Sequence, residues 1–312
     1  MDFVHLSGWM RPLFASLVLL TAISSATEPP AYRVEVHGHR GARALFPENT
    51  LPAFRHALEA GADFLELDLG VTSDGKLVVS HDRHMSPELY KDGNGNRVPP
   101  PGPLIHSLLL SQVKEYDCGS LPNPRFPRQK LIPGTRMPTL DEVFTLVADS
   151  PQPNARNIGF NIETKIDPKH PEQTVGPEKF SELVVEAFRG FRNGMFLDRI
   201  ILQSFDPRTL VAAKKLEPRL RLSYLVEDRG VDMLAEGQRI GAAILSPEYE
   251  PEGEDRADNL VTPEFVARAH AAGFRVVPWV ANEPAQWQEL LGMKVDGIIT
   301  DDPAALLKFL GR

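Results

Sequence analysis

Four short stretches of this 312-residue chain put ionisable side chains where a sheet interior would otherwise carry apolar ones. The first is His37-Gly38-His39-Arg40-Gly41, which closes a strand-like run over 34–39. An imidazole titrates near neutrality and can pass a proton either way, while an always-charged guanidinium suits a phosphate. The flanking glycines would let a ligand approach the backbone. The alternative is a satisfied core histidine beside a surface arginine. The second stretch is Glu66-Leu67-Asp68 within DFLELDLG. Residues i and i+2 share a strand face, so both carboxylates point one way, with Phe64. Inward carboxylates are costly unless a cation joins them, the alternative being a salt-bridge network in a barrel lumen.

The third stretch is His81-Asp82. Asp74-Gly75 is a strong hairpin signal, and a two-residue turn there pairs Ser73 with Lys76. Counting outward, His81 then faces Asp68 across the hairpin and stands beside the acidic pair. The fourth is Asn161-Ile162-Glu163-Thr164-Lys165, where Glu163 and Lys165 alternate onto one face. They supply a third carboxylate and a point charge for a phosphoryl oxygen, or simply an ion pair at a strand end.

The elements that must position these residues follow from periodicity. Strand patterns occupy 34–39, 63–69, 76–80, 158–164, 199–205, 219–226, 242–247, 274–280 and 296–300. Helical patterns lie at 50–60, 139–149, 178–192, 207–216, 230–238, 263–272, 284–291 and 303–311. Alternation of this kind predicts a parallel sheet covered by helices, an α/β chain of the TIM (β/α)8 barrel type. The run at 76–80 is one strand too many for that barrel, and the Asp74-Gly75 turn makes it an antiparallel partner of 63–69. Residues 82–137 carry many Pro and Gly and little pattern, and are expected to form an inserted loop-rich subdomain. Each of the four chemical stretches sits at or near the carboxyl end of a strand, where barrels of this class carry their active sites.

Composition narrows the function classes. A net charge of −8, from 34 Lys+Arg against 42 Asp+Glu, argues against a nucleic-acid or anionic-membrane coat. A single cysteine, Cys118, excludes an internal disulfide and any multi-cysteine metal centre. It reads as a small buried hydrophobe, since no base is paired with it in sequence. Residues Pro12 to Ile23 form an apolar run after Arg11, followed by Ser24-Ser25-Ala26. That layout predicts a signal peptide over 1–26 cut after Ala26, a periplasmic or secreted protein with no stable membrane span, and one barrel domain over 27–312.

The same residues carry a resemblance. HRGARALFPENTLPAF (39–54), ELDLGVTSDGKLVVSHD (66–82), IETK (162–165), QSFD (203–206) and DGIITDDP (296–303) resemble the glycerophosphodiester phosphodiesterase family, in its order. The likeness runs from about 34 to 311, and PGPLIHSLLLSQVKEYDCG (101–119) with RMPTLDEVF (136–144) is similar to its exported bacterial members. It implies hydrolysis of a small glycerophosphodiester to glycerol 3-phosphate and an alcohol. It makes His39 and His81 the acid/base pair, Arg40 and Lys165 the phosphate contacts, and Glu66, Asp68 and Glu163 the metal ligands. Gln203, Phe205 and Trp279 become pocket residues, and Glu48 a support for Arg40. The family's tryptophan is usually followed by Thr-Val-Asn, whereas this chain reads Trp-Val-Ala-Asn.

Three hard carboxylates favour Ca²⁺, with Mg²⁺ as the alternative, over zinc. One histidine would act as base and the other as acid, assigned here as His39 and His81, with water or a substrate hydroxyl as nucleophile. Competing expectations are a phosphodiesterase of intact lipids and a non-catalytic binding module. His37 shares a face with His39 and is a candidate support for it, and His84 a candidate for the mouth. His106, His170 and His270 read as surface residues, and Glu248 to Asp258 as a solvated acidic loop.

Overall fold

Leu65, Leu67 and Leu69 alternate with Phe64, Glu66 and Asp68 along one strand, and that alternation divides the molecule into an inside and an outside. The leucines join the large apolar cluster between sheet and helices, whereas Phe64 packs in the barrel lumen with Ile201, Ile244, Val277 and Ile299. The structure is a computed structural model that describes residues 1–3, 32–249 and 259–312. Nearly all of the expected leader, and 250–258 of the acidic run, lie outside the described residues. Residues Arg33–Arg312 make up one compact unit, which carries the barrel.

Strands β1 (Glu35–Gly38), β2 (Phe64–Val71), β3 (Leu77–Val79), β4 (Gly159–Thr164) and β5 (Ile200–Ser204) are followed by β6 (Arg221–Val226), β7 (Ile244–Pro247), β8 (Arg275–Val276) and β9 (Gly297–Thr300). They coincide in number and order with the runs read from sequence. Helices α1 (Leu51–Ala60), α2 (Leu110–Val113), α3 (Leu140–Ala148), α4 (Pro177–Gly190) and α5 (Pro207–Leu216) precede α6 (Met233–Ile240), α7 (Pro263–Ala271), α8 (Pro284–Met293) and α9 (Pro303–Phe309). Side-chain caps start several of them. Thr139 accepts from Glu142 N as half of a capping box, and Asp206 and Thr262 cap helices that open on proline. Helix α6 begins later than the expected residue 230, because Asp232 caps it by accepting from Ala235 N.

The strand order β8-β7-β6-β5-β4-β2-β1-β9 is parallel throughout, and β3 pairs antiparallel with β2 outside this ring. Strand β8 is shorter than the expected 274–280, since Pro278 has no N–H to give the ladder. Its continuation still closes the barrel: Trp279 bridges to Glu248 on one side and to Ile299 on the other. The result is the nearly closed (β/α)8 barrel that the pattern predicted.

The hairpin register differs from expectation by one residue. Leu69 pairs with Val79 and Val71 with Leu77, so Asp68 faces Ser80, not His81. The turn holds three residues, Ser73-Asp74-Gly75, with Gly75 in the left-handed region at φ 72°. Lys76 N donates to Thr72 Oγ1 at 2.9 Å, and the Thr72 hydroxyl donates to Asp74 at 2.6 Å, which fixes this longer loop. The insertion has its own apolar cluster, including Met85, Tyr90, Val98, Ile105, Val113 and Cys118. Burial pushes the Cys118 thiol up to about 12.

Candidate active site

The mouth of the cleft begins where β1 ends. Arg40 has φ 48° and Gly41 φ 85°, a local turn that a Cβ on Gly41 would block at 2.7 Å from the Ala53 backbone. This turn aims the Arg40 N–H at Glu66 Oε2, 2.8 Å away, and lets its guanidinium donate to Glu48 Oε1 at 2.6 Å. Its Nε lies 3.5 Å from Asp68. Strain of this kind persists only where surrounding contacts over-determine it, as these do.

Glu66 and Asp68 point inward from β2, and Glu163 joins them from β4, where it lies level with Asp68. One oxygen from each of the three buried carboxylates falls within 4.8 Å of the others. Each has a fixed partner. Gln203 Nε2 donates to Glu66 at 2.9 Å, Asn49 Nδ2 to Asp68 at 2.8 Å, and Lys165 Nζ approaches Glu163 to 2.7 Å. Burial pushes the Glu66 carboxyl well up, and repulsion from Asp68 adds to that. Glu163 is raised by burial and by Asp68 against the pull of Lys165. Burial works on Asp68 too, but His81, Arg40 and Lys165 outweigh it and hold its carboxyl low.

The two histidines flank this cluster. His39 Nδ1 lies 2.7 Å from Asp301 Oδ1, and its Nε2 lies 3.9 Å from Glu66. Burial, with the Arg43 charge, pushes His39 down to about 4. His81 lies past the end of β3, where the chain bends, and its Nδ1 is 3.0 Å from Asp82. That bend delivers it to the cleft, not the strand pairing expected from sequence. Burial and the charges of Lys165 and Arg40 lower its pKa.

An open cleft of about 1070 Å³ lies over the cluster, lined by all of the residues expected to act there: His39, Arg40, Glu66, Asp68, His81, Glu163, Lys165, Gln203, Phe205 and Trp279. Phe205 and Trp279 meet edge to face at 5.6 Å, with Lys165 Nζ 5.6 Å over the Phe205 ring. Trp279 Nε1 donates to Ser246 O at 2.9 Å, which fixes the indole in the wall. The site therefore gathers hard anionic ligands, fixed cations and two imidazoles in one open mouth.

The glycerophosphoryl diester phosphodiesterase family model matches residues 39–305. The chain belongs to this family. A glycerophosphodiester phosphodiesterase of Caldanaerobacter subterraneus is 30% identical over 277 residues, covering 89% of this chain and 98% of the relative. A solved structure of a glycerophosphoryl diester phosphodiesterase candidate from Silicibacter pomeroyi superposes with TM-score 0.79 at 30% identity, covering 90% and 94% of the two chains. A phosphodiesterase of Oleispira antarctica, solved with the product sn-glycerol-3-phosphate, shares the fold with TM-score 0.70 at 22% identity, covering 89% and 97%.

Within this phosphodiesterase fold, several side chains at the site escaped the sequence reading. Asp301, Arg43 and Asn282 form a polar group behind His39, and Asn49 holds Asp68 while the neighbouring Thr50 caps α1. Asp301 ends β9 in the same way that His39 follows β1, so the strand-end rule would have found it. Glu48 does support Arg40. His37 does not support His39: it stacks on Phe64 at 4.4 Å and meets Asn161 and Glu35 deeper in the barrel. His84 bridges to Leu104 in the insertion and is absent from the cleft wall. His106 is half-buried against the Val71 carbonyl, whereas His170 and His270 are exposed.

Proposed function

We propose that this enzyme hydrolyses small glycerophosphodiesters to sn-glycerol 3-phosphate and an alcohol, with one divalent cation and two histidines as acid and base. The observation that carries this reading is the balance of charge around the triad. Glu48, Glu66, Asp68 and Glu163 contribute four carboxylates, against the two cations Arg40 and Lys165 in contact with them. The excess of two negative charges equals what one divalent ion brings. Burial raises the carboxyls of Glu66 and Glu163, and repulsion from Asp68 adds to it. All three donors are hard oxygens, so Ca²⁺ fits best and Mg²⁺ next. Bound there by Glu66, Asp68 and Glu163, the ion would supply Lewis acidity at a phosphoryl oxygen.

The chain's own residues do the rest. A phosphodiester repels nucleophiles, and Arg40 and Lys165 offset its charge in a largely desolvated wall. Among the described residues Gln203 Oε1 is buried without a hydrogen-bond partner, and Arg40 Nε has only the 3.5 Å contact with Asp68, which leaves both able to meet a bound ligand. We assign His39 as the base that takes a proton from the nucleophile and His81 as the acid that gives one to the departing alkoxide. Phe205 and Trp279 offer apolar area to a carbon skeleton. The product complex of the Oleispira phosphodiesterase supports the choice of product. We further propose that residues 1–26 are an export signal cut after Ala26 and that 27–312 act as one periplasmic or secreted domain.

The test is turnover on glycerophosphocholine, glycerophosphoethanolamine and phosphatidylcholine micelles, after EDTA and after return of Ca²⁺, Mg²⁺ or Zn²⁺. Release of glycerol 3-phosphate that EDTA abolishes and Ca²⁺ restores is the expected result. Tight binding without release would mark a binding module, and preference for micelles a lipid phosphodiesterase.

A further inference from the structure

We propose that Asp301 is a positioning residue that fixes the proton of neutral His39 on Nδ1 and so leaves the Nε2 lone pair facing the reaction. The proposal rests on the reading of His39 as a proton-transfer group. It follows from the donors that surround one buried carboxylate. Asp301 Oδ1 accepts from Arg43 Nε at 2.5 Å, and Oδ2 accepts from Asn282 Nδ2 at 2.8 Å. The Asn282 amide is itself oriented, because its Oδ1 accepts from the Asp301 N–H at 2.8 Å. A guanidinium N–H and the NH₂ of an amide can only donate, so Asp301 serves them as an ionised acceptor with no proton to give. The 2.7 Å contact with His39 Nδ1 must then carry the proton on the ring. Nε2 remains the basic nitrogen, and it is the one that faces Glu66, 3.9 Å away.

The clamp is well supported. Strand β9 hydrogen-bonds β1 along its length, and His39 N donates to Thr300 O at 2.9 Å, so Asp301 and His39 leave adjacent strand ends together. Arg43 is braced from the insertion: its guanidinium lies 4.9 Å from the Phe126 ring, and its carbonyl accepts from Gln129 Nε2 at 2.5 Å. An acid that orients an imidazole through the nitrogen away from the chemistry governs both tautomer and ring orientation.

Long-range ¹H–¹⁵N spectra of the full chain at pH 8, with His39 assigned by its loss in His39→Gln, read the tautomer directly. The proton is expected on Nδ1 in the wild type and redistributed toward Nε2 in Asp301→Ala. In turnover, Asp301→Ala should lower kcat by about 10–100-fold, the scale of orienting partners, with KM little changed. It should add no further loss in a His39→Gln background, because its effect passes through that ring. A wild-type His39 protonated on Nε2 overturns the proposal, and that measurement requires no variant to fold. Losses that multiply in the double variant overturn it as well, by showing a merely structural role. Full turnover by His39→Gln would instead remove the functional reading, while the tautomer is still read independently.

Discussion

The two histidines of the cleft are held in different ways. His39 follows a central barrel strand, and its partner Asp301 is 3% exposed with two further donors upon it. His81 hangs on a bend after the β2–β3 hairpin, and its partner Asp82 is 43% exposed. One imidazole is set by the frame of the barrel and the other by a peripheral loop. The contrast suits a division of labour in which one proton site must be rigid before substrate arrives and the other can adjust to it.

Substitutions on each side put this contrast at risk. His39→Gln and His81→Gln should each lower kcat by about 10²–10⁴-fold, the usual contribution of a general acid or base. If only one does so in steady-state assays, the pair is not symmetric in chemistry. Leu67→Ala, on the outward face between Glu66 and Asp68, should cost about 2–5 kcal/mol in urea unfolding. It should leave cation affinity by titration calorimetry unaltered. Glu163→Gln should do the opposite, weakening Ca²⁺ affinity by more than the roughly 10–100-fold typical of residues that only orient ligands. Asp82→Asn should reduce kcat by less than about 5-fold, since exposed pairs contribute under about 1 kcal/mol. A loss as large as that of Asp301→Ala would erase the distinction between the two sides.

The pH dependence of stability has a definite sign at His39. The folded ring takes its proton only near about 4, against 6.5 as the ordinary value. Between those limits the unfolded chain binds more protons, so this group lowers stability as pH falls through the window. Urea midpoints from pH 7 to 4 should therefore fall less steeply in His39→Gln than in the wild type.

What the sequence revealed and what it hid divide along physical lines. Alternation within β2 located Glu66 and Asp68 on the inner face without any tertiary information, because side-chain period is a local property. Strand ends marked His39, Arg40 and Lys165 for the same reason. Turn length was not local enough: Asp74-Gly75 reads equally as a two-residue turn or as part of a three-residue one, and Thr72 decides it through its hydroxyl. Asp301 was harder still. Its meaning arises only when β9 lands beside β1, some 260 residues earlier, and adjacent Asp302 serves the ordinary task of capping α9. The insertion's brace on Arg43 depends likewise on a docking that no periodicity announces.

The Ser73-Asp74-Gly75 loop acts as a gauge block for an imidazole that stands far from it. Excising one residue there would re-phase the ladder and draw the chain after β3 along by about 3.3 Å, the rise of one strand residue. A part of the surface with no chemistry of its own thus sets the reach of His81, and homologous enzymes with a shorter loop would have to recover that length on the far side of the ribbon.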